Sequence, residues 1–159
     1  MTSRQLFKIY LKDVRQCWQN NIERFLDGQR FGYGTALAEI RAGQKRSHWI
    51  WYVFPQLKGL GHSPNSVFYG IDGLGEAKEY LSHPVLGQRL REITQALLDN
   101  PGKDIECIMP GIDAVKLKSS MTLFDAACPD DIFNDVLQKY YGGQRDQRTL
   151  EMIAPYLAP

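Results

Sequence analysis

The stretch Lys45-Arg46-Ser47-His48-Trp49-Ile50-Trp51-Tyr52-Val53-Phe54-Pro55-Gln56 governs how the whole chain is read. Six consecutive apolar residues, Trp49 to Phe54, fit a buried element, and the run alone suits either a strand or a helix. Ser47 is a fitting helix N-cap, and Pro55 forbids continuation without a break. A short buried helix is therefore expected here, with basic residues in front of it and Gln56 behind.

Working outward, the apolar residues Leu6, Ile9, Tyr10, Val14, Cys17, Trp18, Ile22, Phe25 and Leu26 fall three and four apart. That spacing gives one stripe of a helix, which Asn20 and Asn21 weaken and Asn21 can restart. Gly28 is expected to end it, and a second helix is expected from Thr35 to Ala42. Gln56 to Ser66 reads as a loop, because Gly59, Gly61, Pro64 and Asn65 punctuate it. Further on, Asp72 is placed to cap a short helix through Leu81, and Pro84 to open a helix to Asp99 behind Ser82 or His83. Ile105 to Met109 reads as a short, extended piece. Asp113 to Ala127, Asp130 or Asp131 to Tyr141, and Asp146 to Ala154 complete the series. The expected fold is mainly α, a single-domain bundle of about seven helices, several of them short, with little or no strand. Residues 1–19 read as an N-terminal extension, 20–154 as a single helical domain, and 155–159 as a C-terminal tail.

Composition narrows the function classes. With 43% hydrophobic and 23% charged residues the chain is neither disordered nor low-complexity. A net charge of +1 argues against an electrostatic nucleic-acid surface. Cys17, Cys107 and Cys128 form no CxxC pair, so reduced, buried thiols are expected, and no cluster has metal-ligand spacing. No signal peptide and no run of about 20 apolar residues is visible. A cytoplasmic protein without a membrane partner is the expectation, and no cofactor is implied.

Three segments carry chemistry-bearing side chains. In the first, Lys45, Arg46 and Ser47 can grip an anion at a helix N-terminus, Trp49 can stack on a ring, and Gln56 adds an amide. His48 is a candidate for proton transfer. The simpler alternative is a core helix with a capping serine and solvated bases. In the second, Gly59-Leu60-Gly61-His62-Ser63 offers backbone and hydroxyl donors, with Gly59 and Ser63 as candidate contacts, or is an ordinary turn-rich loop. In the third, Asp113, Lys116 and Ser120 share a helix face, with Ser119 beside them. Asp113 is the second candidate for proton transfer, and Lys116, Ser119 and Ser120 are candidate ligand contacts. The alternative reads them as an acidic cap, an i,i+3 ion pair and hydroxyls bonded back to the helix.

Taken in order, Ser47 to Gln56, Gly59-Leu60-Gly61, Glu76-Ala77, Tyr80-Leu81, His83-Pro84-Val85-Leu86-Gly87, Arg89-Leu90, Asp113, Lys116-Leu117, Ser119 to Phe124, Gly142, Asp146 and Thr149-Leu150 carry a resemblance. The chain resembles domain-of-unknown-function family 1810 over about Asn20 to Ile153. The resemblance implies a small, mostly helical bacterial-type cytosolic protein, and no established activity comes with it. Members often bear the automatic label calpastatin; a calpain inhibitor of that kind is expected to be long, disordered and repetitive, the opposite of this composition. Two functional readings follow. One is the binding or processing of a small phosphorylated, ring-containing ligand such as a nucleotide or an ADP-ribose derivative. The other is a non-catalytic protein-interaction module whose partner the sequence does not name.

Overall fold

The computed structural model describes residues 2–6, 8 and 21–157. The expected stripe from Ile9 to Trp18, including Cys17, lies outside the described residues. From Glu23 onward the chain forms nine α-helices: α1 (Glu23–Arg41), α2 (Ile50–Val53), α3 (Pro64–Phe68), α4 (Leu74–Ser82), α5 (Leu86–Asp99), α6 (Ile105–Ile108), α7 (Ile112–Ala127), α8 (Ile132–Tyr141) and α9 (Gln147–Ile153). A 3-10 turn, Ala154–Tyr156, follows α9. The mainly helical fold is as expected, but from Glu23 onward the described residues hold ten helical segments rather than about seven. One isolated parallel bridge, Leu57 with Ile71, is the sole β pairing among the described residues.

The largest departure from expectation is α1. Gly28 does not stop it, and the separate helix from Thr35 is its continuation. The glycines serve packing instead. A Cβ on Gly28 would stand 2.8 Å from Tyr52 Cγ, and one on Gly32 would run into the Tyr52 hydroxyl and ring. The two glycines, one turn apart, form a groove that seats Tyr52 of α2 against α1.

Central to the bundle is α7, which packs on α2, α4, α8 and α9. Leu117, Met121, Leu123 and Phe124 are fully enclosed, and Ser119, Ser120 and Thr122 are buried among them. Such a helix, covered on several sides, needs small residues where neighbours approach. Its hydroxyls are partly absorbed by its own backbone: Ser119 donates to Val115 O and Thr122 to Lys118 O. Opposite it, α5 carries a strongly one-sided stripe, Leu86, Leu90, Ile93 and Leu97, against α1, α4 and α8.

Near its N-terminus, α1 is tied down by Arg24. The guanidinium grips Glu76 at 2.6 and 3.2 Å and donates to Asn21 O, Phe68 O and Gly70 O. Both side chains are buried, so the pair joins α1, the end of α3 and α4 in one polar knot. Gln29 makes a second tie, donating to Tyr52 O and to the Tyr80 hydroxyl.

Several caps fall where they were expected. Asp131 opens α8, Gly142 ends it in the left-handed region (φ 61°), and Asp146 caps α9 by accepting from the Thr149 amide. Others differ. Pro64 opens α3 inside the expected loop, with Ser63 as its cap. Ile105–Ile108 is a helical turn behind Asp104 rather than an extended piece. Gly73, not Asp72, precedes α4, and α5 starts at Leu86, where His83 Nδ1 accepts from the Val85 and Leu86 amides. Of the thiols expected to be buried, Cys107 is exposed and Cys128 half-buried.

Candidate functional site

The segment leading into α2 is organised by Glu39 from α1. Its carboxylate accepts from the Arg46 amide (2.6 Å), the Ser47 amide (2.8 Å), the Ser47 hydroxyl (2.6 Å) and Trp49 Nε1 (3.1 Å). Burial pushes the Glu39 carboxyl up, but these four bonds outweigh it and bring its pKa down to about 2. Ser47 therefore does not cap α2; its hydroxyl belongs to Glu39, and Trp49 stands at the N-cap without a side-chain capping bond among the described residues.

Three of the residues expected to meet a ligand thus have other partners. Trp49 is 1% exposed and serves the core rather than stacking on a ring. The Lys45 ammonium is buried over the Trp49 ring, 4.9 Å from its centroid, and pairs with Asp113 at 3.0 Å. Ser47 is spent on Glu39. Arg46 is exposed, its guanidinium donating to Gln44. His48 is exposed as well. Asp113 faces Lys45 rather than a proton-transfer partner, and neither it nor His48 belongs to the cleft described next.

That cleft, of about 320 Å³, lies between the glycine loop, α3, α7 and the start of α9. Gln56, Gly61, His62, Ser63 and Ser66 line one side; Ile112, Val115, Lys116 and Ser119 line the other; Asp146 and Arg148 close one end, with Leu60 adding apolar surface. Of the sequence candidates, Gln56, Ser63, Lys116 and Ser119 are brought together here. Gly59 is exposed next to the cleft in sequence but is not in its lining. Ser120 does not line it: it is fully buried and its hydroxyl has no partner among the described residues.

The loop is held in place by its base. Lys58 N donates to Ile71 O and Ile71 N to Gln56 O, closing the segment between them. Gly70 permits this approach, since a Cβ there would stand 2.7 Å from Lys58 Cα. Gly61 does the same for Ser66, whose Oγ would lie 2.6 Å from an added Cβ.

The electrostatics of the cleft favour an anion. Lys116, His62 and Arg148 line it against one carboxylate, Asp146, which is engaged by the Thr149 amide and hydroxyl. None of the three bases is ion-paired among the described residues. Lys116 Nζ lies 5.1 Å from the centre of the Trp51 ring. Partial burial pushes its ammonium below the usual lysine range; Asp113 opposes that and Lys45 adds to it. Because Asp113 bonds Lys45, Lys116 is left with a ring rather than a carboxylate for company. His62, Ile112, Val115, Asp146 and Arg148 were not among the sequence candidates. His62 sits in the loop singled out above, while nothing local marks the other four.

At the inner end the cleft adjoins a niche of about 10 Å³, lined by Ile50, Trp51, Phe54, Gln56, Ser66, Tyr69, Gly70 and Lys116. Trp51 Nε1 is buried without a hydrogen-bond partner among the described residues. Such a donor is costly to leave unmet.

Fold and cleft together define a mainly helical bundle with a groove over its central helix, lined by Lys116, His62 and Arg148. The chain belongs to the family described as "Protein of unknown function (DUF1810)", which matches residues 19–153, so the resemblance read from the sequence is borne out. It is also similar to the conserved hypothetical protein Rv1873 from Mycobacterium tuberculosis, known from a crystal structure. The two are 47% identical with a TM-score of 0.83, over 85% of this chain and 97% of that one. No curated protein matches the chain. No described helix is long and apolar enough to cross a membrane.

Proposed function

We propose that the protein binds a small phosphorylated ligand with a ring, of the nucleotide or ADP-ribose kind, in the cleft over α7. The observation that carries this reading is Lys116. It is a half-buried ammonium without a carboxylate partner, set beside two further bases in a groove with apolar walls. An anion there relieves the desolvation of Lys116 and meets His62 and Arg148 at the rim, while Leu60, Ile112 and Val115 cover an apolar portion. A few polar groups in a mostly apolar recess are the usual anatomy of a ligand site. The reading concerns binding; no nucleophile and base are paired in the cleft, so no reaction is assigned.

The test is a thermal-shift and calorimetric screen of nucleoside mono- and diphosphates, ADP-ribose and inorganic phosphate. Stabilisation by phosphorylated ligands, but not by the free nucleosides, is expected, since binding to the native state raises its melting temperature. Absence of any shift at millimolar concentration overturns the reading. A protein-interaction role draws on a separate observation, Phe31, which stands 86% exposed on α1. A silent ligand screen would turn attention to that face.

A further inference from the structure

Resting on the anion-cleft reading, the inner niche constrains the ligand further. Its space of about 10 Å³ admits one atom of roughly water size. A whole phosphate or carboxylate does not fit there; a single atom of a ligand does. Of the polar side chains around it, Gln56, Ser66 and Tyr69 can donate or accept, while Trp51 and Lys116 only donate. Trp51 Nε1–H is buried and has no acceptor among the described residues. Ser63 Oγ accepts from the Ser66 amide (3.1 Å) and donates to Ser66 Oγ (2.9 Å), which leaves the Ser66 hydroxyl hydrogen unspent. Lys116 lines both niche and cleft, and no Asp or Glu lines the niche. An indole N–H can only donate, so an incoming amino group would face it donor to donor.

We propose that the niche receives a single exocyclic carbonyl oxygen on the ligand's ring, and that the site therefore prefers oxo-substituted over amino-substituted rings. Lys116 then stands between that carbonyl and the anionic group in the outer cleft. A base with an exocyclic oxygen, as in hypoxanthine or guanine, satisfies the Trp51 and Ser66 donors. The amino counterpart, as in adenine or 2,6-diaminopurine, presents a donor to the Trp51 N–H and leaves it unpaired.

The test is calorimetric titration of the full chain with two matched pairs, inosine against adenosine monophosphate and guanosine against 2,6-diaminopurine riboside monophosphate. Within each pair an exocyclic oxygen is exchanged for an amino group, with the adjoining ring nitrogen losing its proton. The oxo member is expected to bind at least about tenfold more tightly in both pairs, the usual scale for a buried unpaired donor. In Trp51→Phe the preference is expected to collapse, with the oxo ligands falling to the affinity of the amino ones. Equal binding within each pair of the wild-type chain overturns this inference while leaving the anion-cleft reading intact; preference for the amino member does the same. If neither these four nor any other phosphorylated ligand of the wider screen binds, both readings fall. The wild-type pairs decide the matter even if the Trp51 variant does not fold.

Discussion

Replacing Glu39 by glutamine or alanine separates charge from contact in the knot that shapes the Lys45–Phe54 segment. Three donors converge on Oε1 (the Arg46 and Ser47 amides and Trp49 Nε1) and the Ser47 hydroxyl meets Oε2. In Glu39→Gln the amide oxygen retains the three and the Ser47 hydroxyl turns to accept from the amide nitrogen. Only charge assistance is lost, worth about 1–2 kcal/mol for a partly buried acceptor. In Glu39→Ala the buried Trp49 N–H and the Ser47 groups lose their acceptor, while the exposed Arg46 amide turns to water. The cost rises to roughly 3 kcal/mol. For a domain of this size each kcal/mol moves Tm by about 2–4 °C, so drops near 5 °C for glutamine and 9 °C for alanine are expected at pH 7. The acid limb adds a sign. The folded pKa, about 2, lies below the ordinary 4.5. The contribution is therefore full above the ordinary value and declines as pH falls toward the folded one. Circular-dichroism melts at pH 7 and pH 3 should show the gap between wild type and Glu39→Gln narrowing in acid. Equal melting at pH 7, or a gap that widens in acid, refutes the account of Glu39.

Two further substitutions probe the packing that positions the cleft. Gly32→Ala should lower Tm even though alanine favours a helix by about 1 kcal/mol, because the clash with Tyr52 costs roughly 1–3 kcal/mol; a rise in Tm would show that Tyr52 moves aside freely. Arg24→Met strands the buried Glu76 carboxylate and should cost about 3–5 kcal/mol in urea unfolding. Adding Glu76→Leu should recover part of that loss, and strictly additive losses would contradict the coupling.

How much of this was legible in the sequence depended on how far each residue's partner lay along the chain. The α8 and α9 boundaries were readable because Asp131, Gly142 and Asp146 act on backbone within a few residues. The helix through Gly28 was not, since a glycine that stops a helix and one that seats Tyr52 look identical without the facing element. Ser47 likewise has the composition of an N-cap, and the carboxylate that takes its hydroxyl comes from the preceding helix. At the candidate site, Lys116 and Ser119 stood out as unusual in a helix, Gln56 as a polar flank of an aromatic run and Ser63 as a hydroxyl of the glycine loop. Asp113 was read with Lys116 by helical spacing, but a buried Lys45 from a remote loop takes it instead. Arg148, Ile112 and Val115 became cleft residues only through the packing of α9 and the glycine loop against α7.

The most direct test of the central claim is the affinity of a phosphorylated nucleotide for the wild-type chain and for Lys116→Met, measured by calorimetry at low ionic strength. Methionine retains most of the apolar stem over Trp51 while removing the ammonium, so melting temperature should stay within about 2 °C of wild type, in keeping with an isolated substitution of a partly exposed group. Affinity should fall at least about tenfold, the worth of one charge-assisted contact to an anion. Binding of equal strength in both proteins, or no binding by the wild-type chain, would contradict the account.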